Sequence, residues 1–261
     1  MLLAIDIGNT NINLGCFADG ALLFTSRVYS EQHRTADEYA TMLLDILHLH
    51  AVRGSQFKGA ILSSVVPELT DLLSAAVKTV LGKEPLIVGA DVHDGFVTDV
   101  IPVSQVGADL ITGTVAAKAK YPLPCLVADL GTATKILAID KNGKFLGCTI
   151  APGVKISLNA LASGTALLPS ISFTMPEKAI GTNTIECMQS GLVFGTAAML
   201  DGMVQRMQEE MGVEHATLIA TGGLSGGIVP CCKQNFVYDR HLLLDGLRFM
   251  YEAHQSSVDS R

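Results

Sequence analysis

The sequence contains no tryptophan, and aromatic residues of all kinds make up only 5% of it. Proteins that hold single-stranded nucleic acid rely on aromatic stacking platforms, and this chain has few to offer. Positive charge is scarce as well. Lys and Arg number 18 against 25 Asp and Glu, a formal net charge of −7, so no basic stripe is available for nucleic acid or an anionic membrane. No G-x-x-x-x-G-K-[ST] segment occurs, which excludes a P-loop kinase. None of the six cysteines (Cys16, Cys125, Cys148, Cys187, Cys231 and Cys232) forms a C-x-x-C pair, and most lie in apolar runs. They predict reduced core thiols in a soluble cytoplasmic protein, not a disulfide framework or a zinc site. The seven histidines show neither H-x-x-x-H nor H-E-x-x-H spacing. The longest uncharged stretch, 156–176, is interrupted by Ser157, Asn159, Ser163, Thr165 and Pro169, so no membrane span is expected there. The first apolar run has no basic region before it and no signal peptide is expected.

What the chain does contain is apolar mass and a repeat. Hydrophobic residues make up 49% and charged residues 16%, ample for a buried core. The segment Asp6-Ile7-Gly8-Asn9-Thr10-Asn11 closes the first apolar run. Asp129-Leu130-Gly131-Thr132-Ala133-Thr134 closes another, 123 positions later. Asp19-Gly20 and Asn142-Gly143 keep the same offset, and both dipeptides favour two-residue hairpin turns. Strand, Asp-x-Gly loop, strand, turn, strand is therefore written twice, which predicts a duplicated domain with halves near 1–115 and 116–261.

Between these landmarks the pattern predicts strands over 2–7, 13–17, 21–28, 58–64 and 85–88. Thr35-x-x-Glu38 has capping-box spacing and opens a helix, and a second helix follows Pro67. The stretch 91–102 has no period and reads as a loop or edge element. A helix after Gly107-Ala108-Asp109 joins the halves. In the second half a helix starts at Ala151-Pro152-Gly153, a loop spans 163–177, and a long helix runs from about 184 to 211. Gly191, Gly195, Ala198 and Gly202 give that helix a face of small residues. A strand ends in Thr221-Gly222-Gly223, the last helix covers 242–254, and a frayed tail is expected over 255–261.

Backbone N–H groups in a glycine turn can cradle phosphate, and Thr and Asn side chains add donors. A carboxylate beside a polyphosphate is repelled unless a cation intervenes, so Asp6 and Asp129 point to magnesium or another metal ion bound through water, together with nucleotide. The plainer alternative is that each Asp ends its strand as an Asx turn. The pair Gly222-Gly223 would let a nucleotide's sugar or base approach the backbone, or else form an ordinary strand-to-helix turn. Gly223-Leu224-Ser225-Gly226-Gly227 matches G-x-S-x-G, with Asp245 and His254 following. Too little chain remains after Ser225 for the strands a hydrolase needs.

Two Asp-Gly loops and a late Thr-Gly-Gly resemble the actin, heat-shock-protein and sugar-kinase clan, in which ATP lies between two ribonuclease-H-like lobes. More closely, the chain resembles the type III pantothenate kinases over nearly its full length. The resemblance is carried by both loops, Ser63-Ser64-Val65-Val66-Pro67, Gly107-Ala108-Asp109, Ala151-Pro152-Gly153, Ile180-Gly181-Thr182-Asn183-Thr184, Met188-Gln189-Ser190-Gly191 and Thr221-Gly222-Gly223. It implies an α/β, duplicated ribonuclease-H-like (actin-like ATPase) fold with mixed sheets. It also implies phosphorylation of pantothenate by ATP to 4'-phosphopantothenate, the first step of coenzyme A biosynthesis. Asp6, Ile7, Gly8, Asn9, Thr10 and Asn11 would hold ATP phosphates and Mg2+, and Thr132 would touch ATP. Asp129 would ligate a monovalent cation, K+ or NH4+. Gly107, Ala108, Asp109 and Leu110 would line the pantothenate site, with Thr184 touching the same substrate and Asp109 as general base. The 184–211 helix resembles the family's dimer helix and implies a homodimer.

Three departures stand out. Leu110 occupies a position where the family commonly has Arg, Lys135 follows Thr134 where Thr is frequent, and the family's Tyr before Gly-Ala-Asp is missing from 91–105. They keep two alternatives open: a catalytically weak nucleotide-binding or regulatory relative, and a kinase of another small alcohol.

Overall fold

The first apolar run forms strand β1 (Leu2–Ile7), and all six of its residues are buried. In the computed structural model, which describes residues 1–92, 95–100, 102 and 105–259, β1 is the centre of a five-stranded sheet. β2 (Asn11–Ala18) runs antiparallel on one side and β4 (Gly59–Ser64) parallel on the other. β3 (Ala21–Tyr29) and β5 (Leu86–Ile87) form the edges, giving the order β3-β2-β1-β4-β5. A strand covered on both faces can be apolar on both, which is why β1 shows no alternation from Leu2 to Ile5. Leu3, Ile5 and Ile7 pack under helices α1 (Ala36–Leu49) and α2 (Pro67–Leu81), against Leu43, Leu47, Leu69 and Leu73. The predicted capping box starts α1. Thr35 Oγ1 accepts the Glu38 N–H while the Glu38 carboxylate accepts the Thr35 N–H.

The other face of this sheet carries α7 (Leu242–Asp259), which packs on β1, β2 and β4. Leu244 and Tyr251 of α7 sit against Gly15 of β2 and Gly59 of β4. Helix α3 (Ala108–Lys120) packs beside α7, with the backbone of Gly246 against the carbonyl of Thr112.

The second sheet repeats the plan. β6 (Cys125–Leu130) is central, β7 (Ala133–Ile139) is antiparallel to it, β9 (Thr217–Thr221) is parallel, and β8 (Phe145–Pro152) and β10 (Val237–Tyr238) are the edges. Each strand of the first sheet has a counterpart in the same place with the same direction. Helices α4 (Val154–Gly164) and α5 (Thr184–Met211) cover one face through Val154, Leu158, Leu192, Leu200 and Val204. Asn183 caps α5, its side chain accepting the Glu186 N–H at 3.0 Å. The fold is α/β with two mixed sheets built on one duplicated, ribonuclease-H-like plan.

The chain divides into two compact units: Met1–Ala119 together with the C-terminal segment carrying α7, and Lys120–Arg240. The sequence repeat puts everything from 116 onward in the second half, whereas α7 takes its apolar face to the first sheet. Leu247 and Met250 are fully buried there. Two turns also diverge. At Asp19-Gly20 both residues have positive φ and Ala18 pairs directly with Ala21, the predicted two-residue hairpin. Around Asn142-Gly143 the turn is wider, closed by Asp140 N–H to Lys144 O at 2.9 Å, with the Asp140 side chain accepting the N–H groups of Asn142 and Lys144. The tail expected to fray continues as helix to Asp259, where the Ser256 and Ser257 hydroxyls donate back to carbonyls of the preceding turn. Of the expected loop over 91–102, residues 93, 94 and 101 lie outside the described ones.

All six cysteines are free. Burial pushes the thiol of Cys125 up to about 12, so it stays protonated and unreactive at neutral pH. Among the described residues no helix is long and apolar enough to cross a membrane.

Candidate active site

The carboxylate of Asp6 leaves β1 one residue before the strand ends, and the residue is only 8% exposed. Antiparallel pairing sets Asn13 directly opposite, and parallel pairing sets Ser63 beside it. Paired residues share a face of the sheet, so the three side chains emerge together. Asn13 Nδ2 donates to Asp6 Oδ2 at 3.3 Å. Ser63 is fully buried, and its hydroxyl has no hydrogen-bond partner among the described residues. The loop that follows is tied at its base: Gly8 N–H donates to Asn11 O at 3.0 Å and Ser30 N–H to Thr10 O at 3.1 Å. Asn9 is exposed at the tip. Ile7 contributes no side chain to this edge, since it lies in the core and its carbonyl accepts the Val65 N–H.

Asp109 is the second residue of α3. Its Oδ1 accepts the Leu110 N–H at 2.8 Å, folding the side chain back over the helix mouth. Glycine at position 107 leaves room for that fold, since an added Cβ would lie 2.7 Å from Asp109 Oδ1 and push the carboxylate aside. The same Cβ would lie 3.9 Å from Val65, in the loop after β4, so the Gly107-Ala108-Asp109 turn sits at the carboxyl end of the parallel pair β1 and β4. Ligands of sheets with parallel strands bind at this edge. Leu110 is 8% exposed and belongs to the interior of α3. It offers neither charge nor an exposed side chain where Arg is common.

In the second unit Asp129 occupies the matching place in β6, but the strands pair differently. Ile7 pairs with Ile12, whereas Leu130 pairs with Thr134, so the second loop is one residue tighter. The slip makes Lys135, not Ile136, the counterpart of Asn13 and puts it opposite Asp129. Lys135 Nζ stands 3.0 Å from Asp129 Oδ2, with the two side chains 15% and 13% exposed. Thr132 is exposed at the loop tip, and the buried Thr134 hydroxyl has no hydrogen-bond partner among the described residues.

Two glycines read from sequence as nucleotide-facing or helix-opening are packed under this loop. Gly222 has φ of 96°, and a Cβ there would lie 2.6 Å from the Leu130 carbonyl. A Cβ on Gly153 would overlap the carbonyls of Gly131 and Thr132. Both hold the loop's backbone from below, a role the spacing alone does not reveal. Ser225 of the G-x-S-x-G segment, within the short helix α6 (Ser225–Ile228), is buried and donates to the Thr221 carbonyl, so it serves the turn and not catalysis. Thr184 begins α5 and lines an open groove of ≈ 970 Å³ with Ser157, Leu161, Leu168, Met188 and Gly191.

The family model for type III pantothenate kinase matches residues 2–206. A type III pantothenate kinase from Moorella thermoacetica is 42% identical over 252 residues, 97% of this chain and 99% of the relative. The chain belongs to the type III pantothenate kinase family. Another type III pantothenate kinase, from Finegoldia magna, is 41% identical over 98% of each chain. Among solved structures, the activator of 2-hydroxyisocaproyl-CoA dehydratase from Clostridium difficile, with bound ADPNP, has a TM-score of 0.62 at 13% identity. It is covered to 97%, and covers 99% of this chain. Component A of (R)-2-hydroxyglutaryl-CoA dehydratase from Acidaminococcus fermentans gives 0.59 at 12% identity, with 97% of this chain and 98% of that one covered. Both share the actin-like ATPase fold.

Among the described residues no three His, Cys, Asp or Glu side chains gather as a metal cage. Magnesium is commonly held by one or two carboxylates together with water and substrate phosphate. Asp6, beside the amide of Asn13 and the unsatisfied Ser63 hydroxyl, fits that donor set. The glycine under the second loop makes a direct prediction. Gly222→Ala, which combines positive φ with backbone overlap, should cost about 1–3 kcal/mol in urea unfolding. Hydrogen exchange should rise first in 129–134, and unchanged stability and exchange would contradict the loop-support role.

Proposed function

We propose that this chain transfers the γ-phosphoryl group of ATP to the primary alcohol of pantothenate, forming 4'-phosphopantothenate at the first step of coenzyme A biosynthesis. Family membership supplies the reaction, with ATP and a divalent metal ion as its partners. The observation that carries the assignment of roles is the Gly107-Ala108-Asp109 turn, which fixes a carboxylate at the mouth of α3 and at the carboxyl edge of β1 and β4. A primary alcohol is a poor nucleophile at neutral pH. As its oxygen bonds to the γ-phosphorus, the bond to the β–γ bridging oxygen breaks, ADP leaves with that electron pair, and the alcohol proton passes to Asp109. Asn9, Thr10, Asn11 and the Gly8 turn would hold phosphate oxygens, with Thr132 touching ATP from the second loop. Asp6 would hold magnesium, through water, and the ion would neutralise charge on the phosphates. Gly107, Ala108 and Thr184 would contact pantothenate. Leu110 would do so through its backbone alone, which removes the cationic partner common in the family.

The remaining part of the reading is a homodimer in the cytoplasm. The dimer is supported by α5. Gly191, Gly195 and Ala198 are exposed, and a Cβ added at either glycine meets nothing within 4 Å among the described residues, so this part of the small-residue face is open. Exposed Ile180, Ile185 and Leu167 lie in the same unit. The monovalent cation expected at Asp129, K+ or NH4+, finds the Lys135 ammonium already there, 3.0 Å from Asp129 Oδ2.

A coupled assay should detect ADP release that depends on both pantothenate and magnesium. Asp109→Asn should lower kcat by about 10²–10⁴-fold while ATP binding stays intact. ADP release indifferent to pantothenate, or an unimpaired Asp109→Asn enzyme, would overturn the reading. Light scattering should give about twice the chain mass of 27.5 kDa; a monomer at assay concentration would remove the dimer.

A further inference from the structure

We propose that Asp129 takes no potassium or ammonium ion in this protein, because the tethered ammonium of Lys135 already occupies the cationic place beside it, so that nucleotide binding needs no monovalent cation. This rests on the reading that ATP phosphate lies at the 129–134 loop.

The donor set at Asp129 does not fit an added monovalent ion. Lys135 Nζ lies 3.0 Å from Asp129 Oδ2, and both side chains are largely withdrawn from solvent. The contact is fixed by the ladder. Lys135 is the direct antiparallel partner of Asp129, with Ile136↔Ala128 and Thr134↔Leu130 pairing on either side. The side chain therefore does not reach in from a mobile loop; it stands on the central pair of strands. A lysine ammonium carries the same single charge as an ammonium ion, with three N–H donors. Being covalently held, it arrives without the translational entropy that a free ion loses on binding. An incoming ion would either have to displace Nζ from Asp129 Oδ2 or share one carboxylate with it at the cost of like-charge repulsion.

The first unit provides an internal comparison. The structural counterpart of Lys135 there is Asn13, whose neutral amide donates to Asp6 but adds no charge through that contact. Two loops of the same design thus differ in the residue opposite their carboxylate. The amide suits the loop assigned to magnesium. The ammonium makes the other loop self-sufficient.

The test is ATP affinity, measured by calorimetry with magnesium in potassium, ammonium, sodium or choline chloride at equal ionic strength, together with the Tm of the ATP-free protein in the same salts. The wild-type protein should bind ATP with Kd values that agree within about twofold, and its Tm should not respond to potassium over choline. Lys135→Thr should bind at least about tenfold more weakly in choline and recover in potassium or ammonium. Wild-type affinity or Tm that rises specifically with potassium or ammonium would overturn the proposal, as would a Lys135→Thr protein indifferent to salt. If that variant does not fold, the wild-type comparisons still decide. Failure to bind ATP in every salt would sink the kinase reading instead, and the Tm series would still judge the cation.

Discussion

A carboxylate that leaves a buried central strand has its neighbours chosen by the ladder, and this constraint governs the rest of the structure. Asp6 and Asp129 each stand one residue from the end of such a strand. Neither can be solvated freely, so what the adjacent strands present decides its state. Asp6 meets an amide at 3.3 Å and has the buried Ser63 hydroxyl beside it. Asp129 meets an ammonium at 3.0 Å. One position opposite each loop separates a carboxylate suited to an outside ion from one supplied by the chain itself.

Other features serve these strand ends. Gly153 and Gly222 pack beneath the second loop, so its backbone is held without side chains in the way. Gly107 lets Asp109 fold over the start of α3, close to the loop after β4. Helix α7 covers the face of the first sheet from which Asp6, Asn13 and Ser63 emerge. Side chains set at strand ends and a helix mouth are limited in how far they can stray, which matters when catalysis of phosphoryl transfer is largely positioning and electrostatics.

Much of this was legible in the sequence because local rules agreed. The apolar run that opens β1, the Asp19-Gly20 turn, the Thr35 capping box and the repeat of Asp-x-Gly each have a short-range cause, and together they point to both sheets. What escaped depended on register or on tertiary partners. The constant offset of 123 residues pairs Lys135 with Ile12, but the tighter second loop shifts the ladder by one, and a one-residue slip turns a side chain to the other face. Asn142-Gly143 looked like the twin of Asp19-Gly20 until Asp140 gathered the surrounding N–H groups into a wider turn. The amphipathic pattern of α7 shows that it is buried on one side, not which sheet receives it. Gly222 advertises a close approach, yet the approaching group is the chain's own Leu130. Leu110 is the reverse case: the departure was visible at once, and its burial shows why no charge is recovered there.

The residue opposite each loop carboxylate determines whether an external cation is held there. Asn13→Lys tests it most directly, by giving the first loop the partner found in the second. Calorimetric titration of ATP with and without magnesium should show that the wild-type protein gains affinity from the metal while the folded Asn13→Lys protein gains none. An Asn13→Lys protein that kept the full magnesium-dependent gain would contradict the account.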